Sequence, residues 1–501
     1  MSNNDKKLSI LPGEWISLDL ETTGLSPNND KIIEVGAVKF KGSEIIDTFS
    51  SFVNPHSNLS PFIKKFTGIT QHNVDNAPEL NTVIRALISF IGSLPVIGHN
   101  INFDLRFLDA NGCHLTNSTC DTWDMAYVFF PYLSKYSLQA LTKTMAIDHL
   151  NPHRALEDAK ATKDLFIRLV DRVLAMDLYL LSGIRELTCR SSWSLHYLMN
   201  RLETLKTSQN KGASLLETPY TSFFGGRFKS AKPLKPNNHN TPLDIDLVTS
   251  LFDKESPLAE YLDVYEERSE QLEMARAVAE SINSGGRLII EAGTGVGKSL
   301  AYLVPATLYA LLNNKRVVIS TNTINLQEQL LNKDALIVKK LLETINDIPD
   351  DSIRFAQLKG RANYICLKRW SHLLNEPLIS EDDARFLAKT MVWLTTTKTG
   401  DKGEINFGNR SNSLNWDRIS ALGTYNCLSK GGDCFLRTSR ETATSSHVTF
   451  VNHSLLLSDL TSEGSVIPEH DILIIDEAHH LEEIATKQFG FTLSEKSLTD
   501  H

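Results

Sequence analysis

The stretch Glu291–Ser299, EAGTGVGKS, constrains this chain more than any other. Glycines at 293, 295 and 297 let successive backbone N–H groups converge on one concavity, which suits phosphate oxygens. The apolar run Leu288-Ile289-Ile290 just before it predicts a short buried strand, and Lys298-Ser299 opens a helix reaching Leu312. The pattern fits [AG]xxxxGK[ST], with Ala292 in the first position, and a strand before and a helix after are the context it requires. Gly293, Thr294, Gly295 and Gly297 then form a phosphate loop. Lys298 is placed to reach the β- and γ-phosphates and Ser299 to ligate Mg²⁺, while the helix N-terminus adds its partial positive charge. A strand–loop–helix unit of this kind belongs to a parallel α/β layer.

Far downstream, Asp471–Ile475 reads as another buried strand, ending in Asp476-Glu477-Ala478-His479. Asp476 is suited to hold the Mg²⁺ hydration shell of a bound ATP and Glu477 to polarise the attacking water. His479 would couple that site to nucleic acid. Gln271, on a helix upstream of the phosphate loop, carries an amide able to read an adenine edge. After the strand Arg316–Ser320, the small hydroxyl residues of Thr321–Gln329 lie where an α/β sheet holds a ligand, here a nucleic-acid backbone.

The N-terminal third carries different chemistry. In Trp15–Glu21, WISLDLE, Ile16, Leu18 and Leu20 face one way and Ser17, Asp19 and Glu21 the other, because strand side chains repeat every two residues. Ile32–Phe40 and Ile45–Val53 continue an antiparallel meander. Two carboxylates side by side on a buried strand repel each other unless a cation joins them. Pro95–Leu108 reads as a strand, a turn at Gly98-His99-Asn100 and a helix bearing Asp104. In Asn151–Phe166, His153 stands at a helix entry and Asp158 on the second turn. Asp19, Glu21, Asp104 and Asp158 are hard oxygen ligands suited to a pair of Mg²⁺ or Mn²⁺ ions, with His153 as proton acceptor for an activated water.

Length and composition set limits. At 501 residues the chain is too long for one core. Hydrophobic content of 41% and charged content of 22% are those of an ordinary soluble protein. A net charge of −9 does not advertise a nucleic-acid binder, though a nuclease or motor confines basic surface to a groove. No apolar run approaches the roughly 18 residues of a membrane span, and MSNNDKKLS lacks the apolar core of a signal peptide. The scattered cysteines do not form a disulfide framework, so a reducing cytoplasm is the expected location. Residues 206–242 read as a flexible tether whose Arg227, Lys229, Lys232 and Lys235 form a small solvated basic cluster.

Residues 14–175 resemble the DnaQ-type 3′→5′ exonucleases of the DEDDh group. Asp19-x-Glu21 matches the first motif, His99-Asn100-x-x-Phe103-Asp104 the second, and His153-x-x-x-x-Asp158 the third. The stretches Phe66–Thr70, Asp121-Thr122 and Tyr136-Ser137-Leu138 also fit. The resemblance implies an RNase H-like fold and an active metal-dependent nuclease.

From about residue 255 the chain resembles superfamily 2 DNA helicases of the DinG/XPD type. The match rests on Arg268-x-x-Gln271-x-x-Met274, EAGTGVGKSLAYLVPA, STNTINLQEQL, VNHSLLLSDL at 451–460 and DEAH.

The two resemblances together imply a DnaQ-like domain at 1–175 and a helical segment and linker at 176–254. A first RecA-like ATP-binding domain follows at 255–501, with an insertion at about 360–450. A second RecA-like domain, with its arginine finger, is absent from this sequence, so the expectation is a truncated form or a partner polypeptide supplying the remaining half. DNA, as single strands or 3′ ends, and ATP are the expected partners.

In such helicases the insertion often carries four cysteines around a [4Fe–4S] cluster. Cys366, Cys427 and Cys434 fall inside it, one short of the four thiolates such a cluster normally takes. A lost or degenerate cluster and one completed by water, Asp433 or His447 both remain open.

Overall fold

The computed structural model describes residues 12–209, 228, 232–253, 256–261, 266, 268–293, 295–345, 352–407, 413–423, 433–462, 464 and 466–490. Thr294, Cys427, Arg227 and Lys229 lie outside them. The chain divides into two compact units. One comprises Met1–Phe223 with Lys368–Lys398 and Lys402–Ile419; the other comprises Phe224–Leu367, Thr399–Asp401 and Ser420–His501.

The first unit is built on five strands, β1 (Trp15–Thr22), β2 (Ile32–Lys41), β3 (Glu44–Phe52), β4 (Val96–Gly98) and β5 (Thr119–Asp121). Their order is β3-β2-β1-β4-β5. The β1–β2 and β2–β3 pairs are antiparallel, and the β1–β4 and β4–β5 pairs are parallel. This mixed sheet is the RNase H-like arrangement, an α/β fold.

The alternation read in β1 is realised: Ile16, Leu18 and Leu20 enter a core with Val35, Val83, Leu87 and Phe107. The other face is covered by the helix Ala155–Leu174, where the Ser17 hydroxyl donates to the Ala159 carbonyl at 2.7 Å. Close approach there depends on Gly36, the register partner of Asp19. A Cβ at Gly36 would run into the Ala155 backbone. A strand glycine of this kind marks close backbone approach, and it brings the helix entry down onto the carboxylates of β1. That helix starts at Ala155, so Asp158 sits in its first turn, one turn earlier than the sequence suggests.

The stretch between GKS and DEAH contributes to this same unit. Its helix Glu381–Leu394 buries Arg385, whose Nε donates to Asp124 Oδ1 at 2.9 Å. The other Asp124 oxygen accepts from Trp193 Nε1 at 2.9 Å. Asp382 and Glu381 complete the guanidinium's partners, and its plane lies over the Trp193 ring. One turn on, Lys389 is fully buried, with Nζ 2.9 Å from the Tyr136 hydroxyl and 3.6 Å from the Tyr127 ring centroid.

The second unit holds four parallel strands, β6 (Val317–Thr321), β7 (Phe355–Gln357), β8 (Val448–Asn452) and β9 (Ile472–Ile475), in the order β7-β8-β6-β9. The helices Ser269–Ser284 and Lys298–Asn313 supply Ala275, Ala279, Leu303 and Val304 to its core. Here the structure corrects the sequence reading. Leu288–Ile290 forms no strand, and Ile289 is 99% exposed. β9, expected to be buried, is half exposed, with Leu473 open to solvent. A three-residue apolar run gains burial only inside a ladder. β9 is the terminal strand of the sheet among the described residues, and Leu288–Ile290 does not pair with it. No helix among the described residues is long and apolar enough to cross a membrane.

The Arg385–Asp124 pair yields a measurable expectation. Replacing Arg385 with Met leaves a buried carboxylate without its cation, a change that costs about 3–5 kcal/mol. Urea denaturation followed by tryptophan fluorescence should show the loss in the earliest transition. Adding Asp124→Asn, which removes the orphaned charge, should restore part of it.

Candidate active site

Four carboxylates converge at one end of β1. Asp19 and Glu21 project from the strand toward the helix Ala155–Leu174. Asp104, 4% exposed in the first turn of Asn102–Ala110, is fixed by the Leu20 backbone N–H, which donates to its Oδ1 at 3.0 Å. Asp158 accepts from the His153 backbone N–H at 3.3 Å. Ligand atoms of Glu21, His153 and Asp158 all lie within 4.8 Å of one another.

Electrostatics shows how close the group is. Burial, then the charges of Asp104, Asp158, Glu21 and Glu34, pushes the Asp19 carboxyl well above the usual carboxylate range. Glu21 is pushed up to about 8, first by burial and then by Asp158 and Glu34, with Arg154 working against them. Burial also raises Asp104 and Asp158. Four acids this close cannot all ionise without a compensating cation. Hard oxygens and an imidazole in a buried cluster fit divalent Mg²⁺ or Mn²⁺.

The turn before Asp104 is locked from behind. Asn100 is left-handed at φ 64, and its N–H donates to Asp121 Oδ1 at 2.8 Å. His99 donates from Nε2 to the Tyr136 carbonyl at 3.0 Å, and its Nδ1 lies 3.0 Å from the Thr122 hydroxyl. Burial lowers the His99 pKa to about 4, so this ring stays neutral and acts as a brace. His153 faces outward. Its Nε2 lies 3.0 Å from the Gln139 amide nitrogen, so that ring nitrogen carries the lone pair, and the ring packs on Phe66 with centroids 3.9 Å apart. Phe66 in turn stacks on Phe62, and both are exposed on the helix Pro61–Thr67.

Sequence reasoning missed two residues here. Glu34, 1% exposed, is the register partner of Glu21. It receives Arg154 Nη2 at 2.8 Å and the Ala155 backbone N–H at 3.1 Å, anchoring the third motif to the sheet. Its one signal was an acid inside the otherwise apolar IIEVGAV. His149, whose Nε2 lies 2.6 Å from Asp158 Oδ1, was the other, and no local pattern marks it.

The second unit gathers most of the residues assigned to ATP. Lys298 Nζ pairs with Glu477 Oε1 at 2.9 Å, and this bond lowers the Glu477 pKa. The Tyr302 hydroxyl donates to Asp476 Oδ2 at 3.0 Å and hydrogen-bonds Ser299, so the helix bearing GKS and the DEAH turn meet. Gly295 and Gly297 are left-handed, at φ 88 and 81. Gln271 donates to the Gly297 carbonyl at 2.9 Å and is 6% exposed, so its amide supports the loop. Gly293 lies in the exposed stretch before it. His479 is exposed, 3.5 Å from Glu477. His453, buried behind DEAH and 2.7 Å from the Ser320 hydroxyl, was not singled out from the sequence. Cys366 and Cys434 pack against the same small cluster of Tyr364, Ala421 and Leu436.

Comparison with known proteins finds matches along most of the chain. An Exonuclease family model matches residues 16–166, a DEAD/DEAH box helicase model residues 273–365, and the DEAD_2 model residues 335–498. The 3′-5′ exonuclease DinG of Bacillus subtilis is 31% identical over 485 residues, 95% of this chain and 51% of that protein. That of Staphylococcus epidermidis is 27% identical over 496 residues, 94% and 50% respectively. The chain thus spans about half the length of the curated relatives it matches. Among solved structures, exonuclease X in complex with 5′ overhanging duplex DNA aligns with 32% of this chain and 90% of its own, at 29% identity and a TM-score of 0.27.

The raised Glu21 pKa carries a sign. Between its ordinary value of 4.5 and about 8, the folded chain holds a proton that the unfolded chain has lost. The contribution of Glu21 to stability in EDTA therefore falls as pH rises through that window. Glu21→Gln removes that contribution, so its melting temperature relative to wild type in EDTA should be higher at about pH 8 than at about pH 5.5. The same offset at both values would contradict the electrostatic picture.

Proposed function

We propose that this DinG-type chain, an exonuclease domain joined to a DEAD/DEAH-box helicase segment, is a metal-dependent 3′→5′ exonuclease acting on DNA. The observation that carries the reading is the convergence of Asp19, Glu21, Asp104 and Asp158 into one buried, mutually repelling cluster beside His153. In this reading the four carboxylates hold two Mg²⁺ or Mn²⁺ ions, which when bound polarise the phosphodiester and neutralise its charge. His153, whose ring stands beside Glu21 and Asp158, would take the proton of the attacking water. Asp104, held by the Leu20 N–H, and Asp158, in the first helical turn, keep fixed positions as the 3′ nucleotide leaves. The exposed Phe62–Phe66 stack next to His153 supports an unpaired 3′ end as substrate, since bases stack on aromatic faces.

The second unit is, in the same proposal, the ATP-binding half. Lys298, Ser299 and the loop of Gly293, Thr294, Gly295 and Gly297 take the phosphates, Asp476 the Mg²⁺ shell, and Glu477 the attacking water. The donor set fits: the Ser299 hydroxyl and Asp476 share Tyr302, and Glu477 must leave Lys298 when phosphates arrive. Gln271 is assigned to the nucleotide site through its hold on Gly297. The domain limits proposed along the sequence are 1–175 and 255–501 with 176–254 between them, the inserted stretches Lys368–Lys398 and Lys402–Ile419 packing with the first unit. The remaining half of a helicase would be a partner for unwinding. A role in DNA repair or replication and a cytoplasmic location complete the reading. An iron–sulfur cluster stands outside the reading, because Cys366, Cys427 and Cys434 are three cysteines where such a cluster normally takes four thiolates.

A second reading, an ATP-regulated DNA-binding module without unwinding, is favoured by the Lys298–Glu477 pair, which nucleotide must rearrange. One assay separates them. A 3′-labelled single-stranded oligonucleotide with Mn²⁺ should be shortened from its 3′ end, and Asp19→Ala should reduce the rate by at least about 10³-fold, the scale of losing a transition-state electrostatic group. Tight binding without cleavage across several divalent metals would instead support the module. Full activity of the Asp19 variant would remove the assignment.

A further inference from the structure

Asp158 is gripped by two histidines, and the third motif accounts for only one of them. His153 meets it through its backbone N–H, while its ring turns to Gln139 and Phe66. His149 meets it through its ring, Nε2 to Oδ1 at 2.6 Å, with the side chains only 7% and 12% exposed. With Asp158 ionised, as a metal-ligating carboxylate is, its oxygen only accepts, so His149 Nε2 carries the hydrogen of this contact. At this length it is a charge-assisted bond, stronger than a neutral one.

The path of the chain shows what that bond does. Between the helices Leu138–Thr144 and Ala155–Leu174 the loop contains three left-handed non-glycine residues, Ala146 at φ 51, Asn151 at φ 51 and His153 at φ 67. Such a conformation persists only where surrounding contacts enforce it. At one end the Ile147 N–H donates to the Thr142 carbonyl at 2.9 Å, and at the other Arg154 is fastened to Glu34. In between, Leu150 is 70% exposed, and the His149 ring reaches back to the first turn of Ala155–Leu174. One bond therefore fixes two things: the rotation of the Asp158 carboxylate and the course of the loop that delivers His153.

We propose that His149 is a positioning residue of the metal site: its Nε2–H holds Asp158 Oδ1, so that the carboxylate's remaining lone pairs face Glu21 and the divalent ion. The inference rests on the exonuclease reading for the identity of the metal site, but its test does not require cleavage. Groups that orient a ligand in this way typically contribute about 10–100-fold in metal affinity.

The experiment uses the full chain with two replacements, His149→Leu, which fills the space without a donor, and His149→Gln, which keeps an N–H donor. Mn²⁺ binding is titrated directly by the electron paramagnetic resonance signal of the free ion, alongside exonuclease rate against Mn²⁺ concentration. The expected result is that His149→Leu weakens Mn²⁺ binding by about 10–100-fold and moves the activity curve to higher Mn²⁺ by the same factor. Saturating Mn²⁺ should recover most of kcat, and His149→Gln should bind close to wild type. Wild-type Mn²⁺ affinity in His149→Leu would overturn the proposal. Equal loss in both variants would overturn it too, since the imidazole would then act as a ligand in its own right. A wild-type chain that binds Mn²⁺ without trimming DNA would remove the exonuclease reading and leave the Leu-against-Gln comparison intact. A wild-type chain that binds no Mn²⁺ would remove both.

Discussion

Charge repulsion among buried carboxylates is the constraint around which the first unit is arranged. Asp19 and Glu21 share one face of β1, and Asp104 and Asp158 arrive from helices far along the chain. Bringing them together is unfavourable in a dry interior, and the surrounding structure is built to hold them there nonetheless. Gly36 omits a side chain so that the helix entry can descend, Glu34 and Arg154 pin that entry to β2, and the Leu20 N–H and His149 each fasten one acid. A cluster of this kind is suited to divalent cations, which would relieve its repulsion.

The second unit uses the opposite device. Its acids have partners within the chain: Glu477 pairs with Lys298, and Asp476 accepts from the Tyr302 hydroxyl. Phosphates and Mg²⁺ would exchange these internal partners for their own. The first site therefore stores repulsion and the second stores attraction. The inserted helix Glu381–Leu394 belongs to the first unit, with Arg385 and Lys389 as its buried fastenings.

Local chemistry was the legible part of both sites. The strand bearing Asp19-x-Glu21, the helix opening at Lys298 and the strand leading to Asp476 follow from residue spacing. What escaped reading depends on contacts across sequence. Glu34 and His149 matter because of what lies opposite them, 120 residues away for Glu34 and Arg154, in a neighbouring loop for His149. Arg385 looks like an ordinary helical surface arginine until Asp124 is placed against it. The strand expected at Leu288–Ile290 failed for a related reason: apolar character proposes a strand, but only a ladder partner makes one, and the described sheet supplies none there.

The central claim is that the acid cluster on β1 is a two-metal phosphodiester site. Anomalous X-ray diffraction from crystals of this chain soaked with Mn²⁺ and a nucleoside 5′-monophosphate tests it most directly. The account predicts two manganese peaks about 3.5–4 Å apart, bounded by Asp19, Glu21, Asp104 and Asp158, with the phosphate between them and the His153 ring. Manganese bound elsewhere on the chain while those four carboxylates stay empty would contradict it.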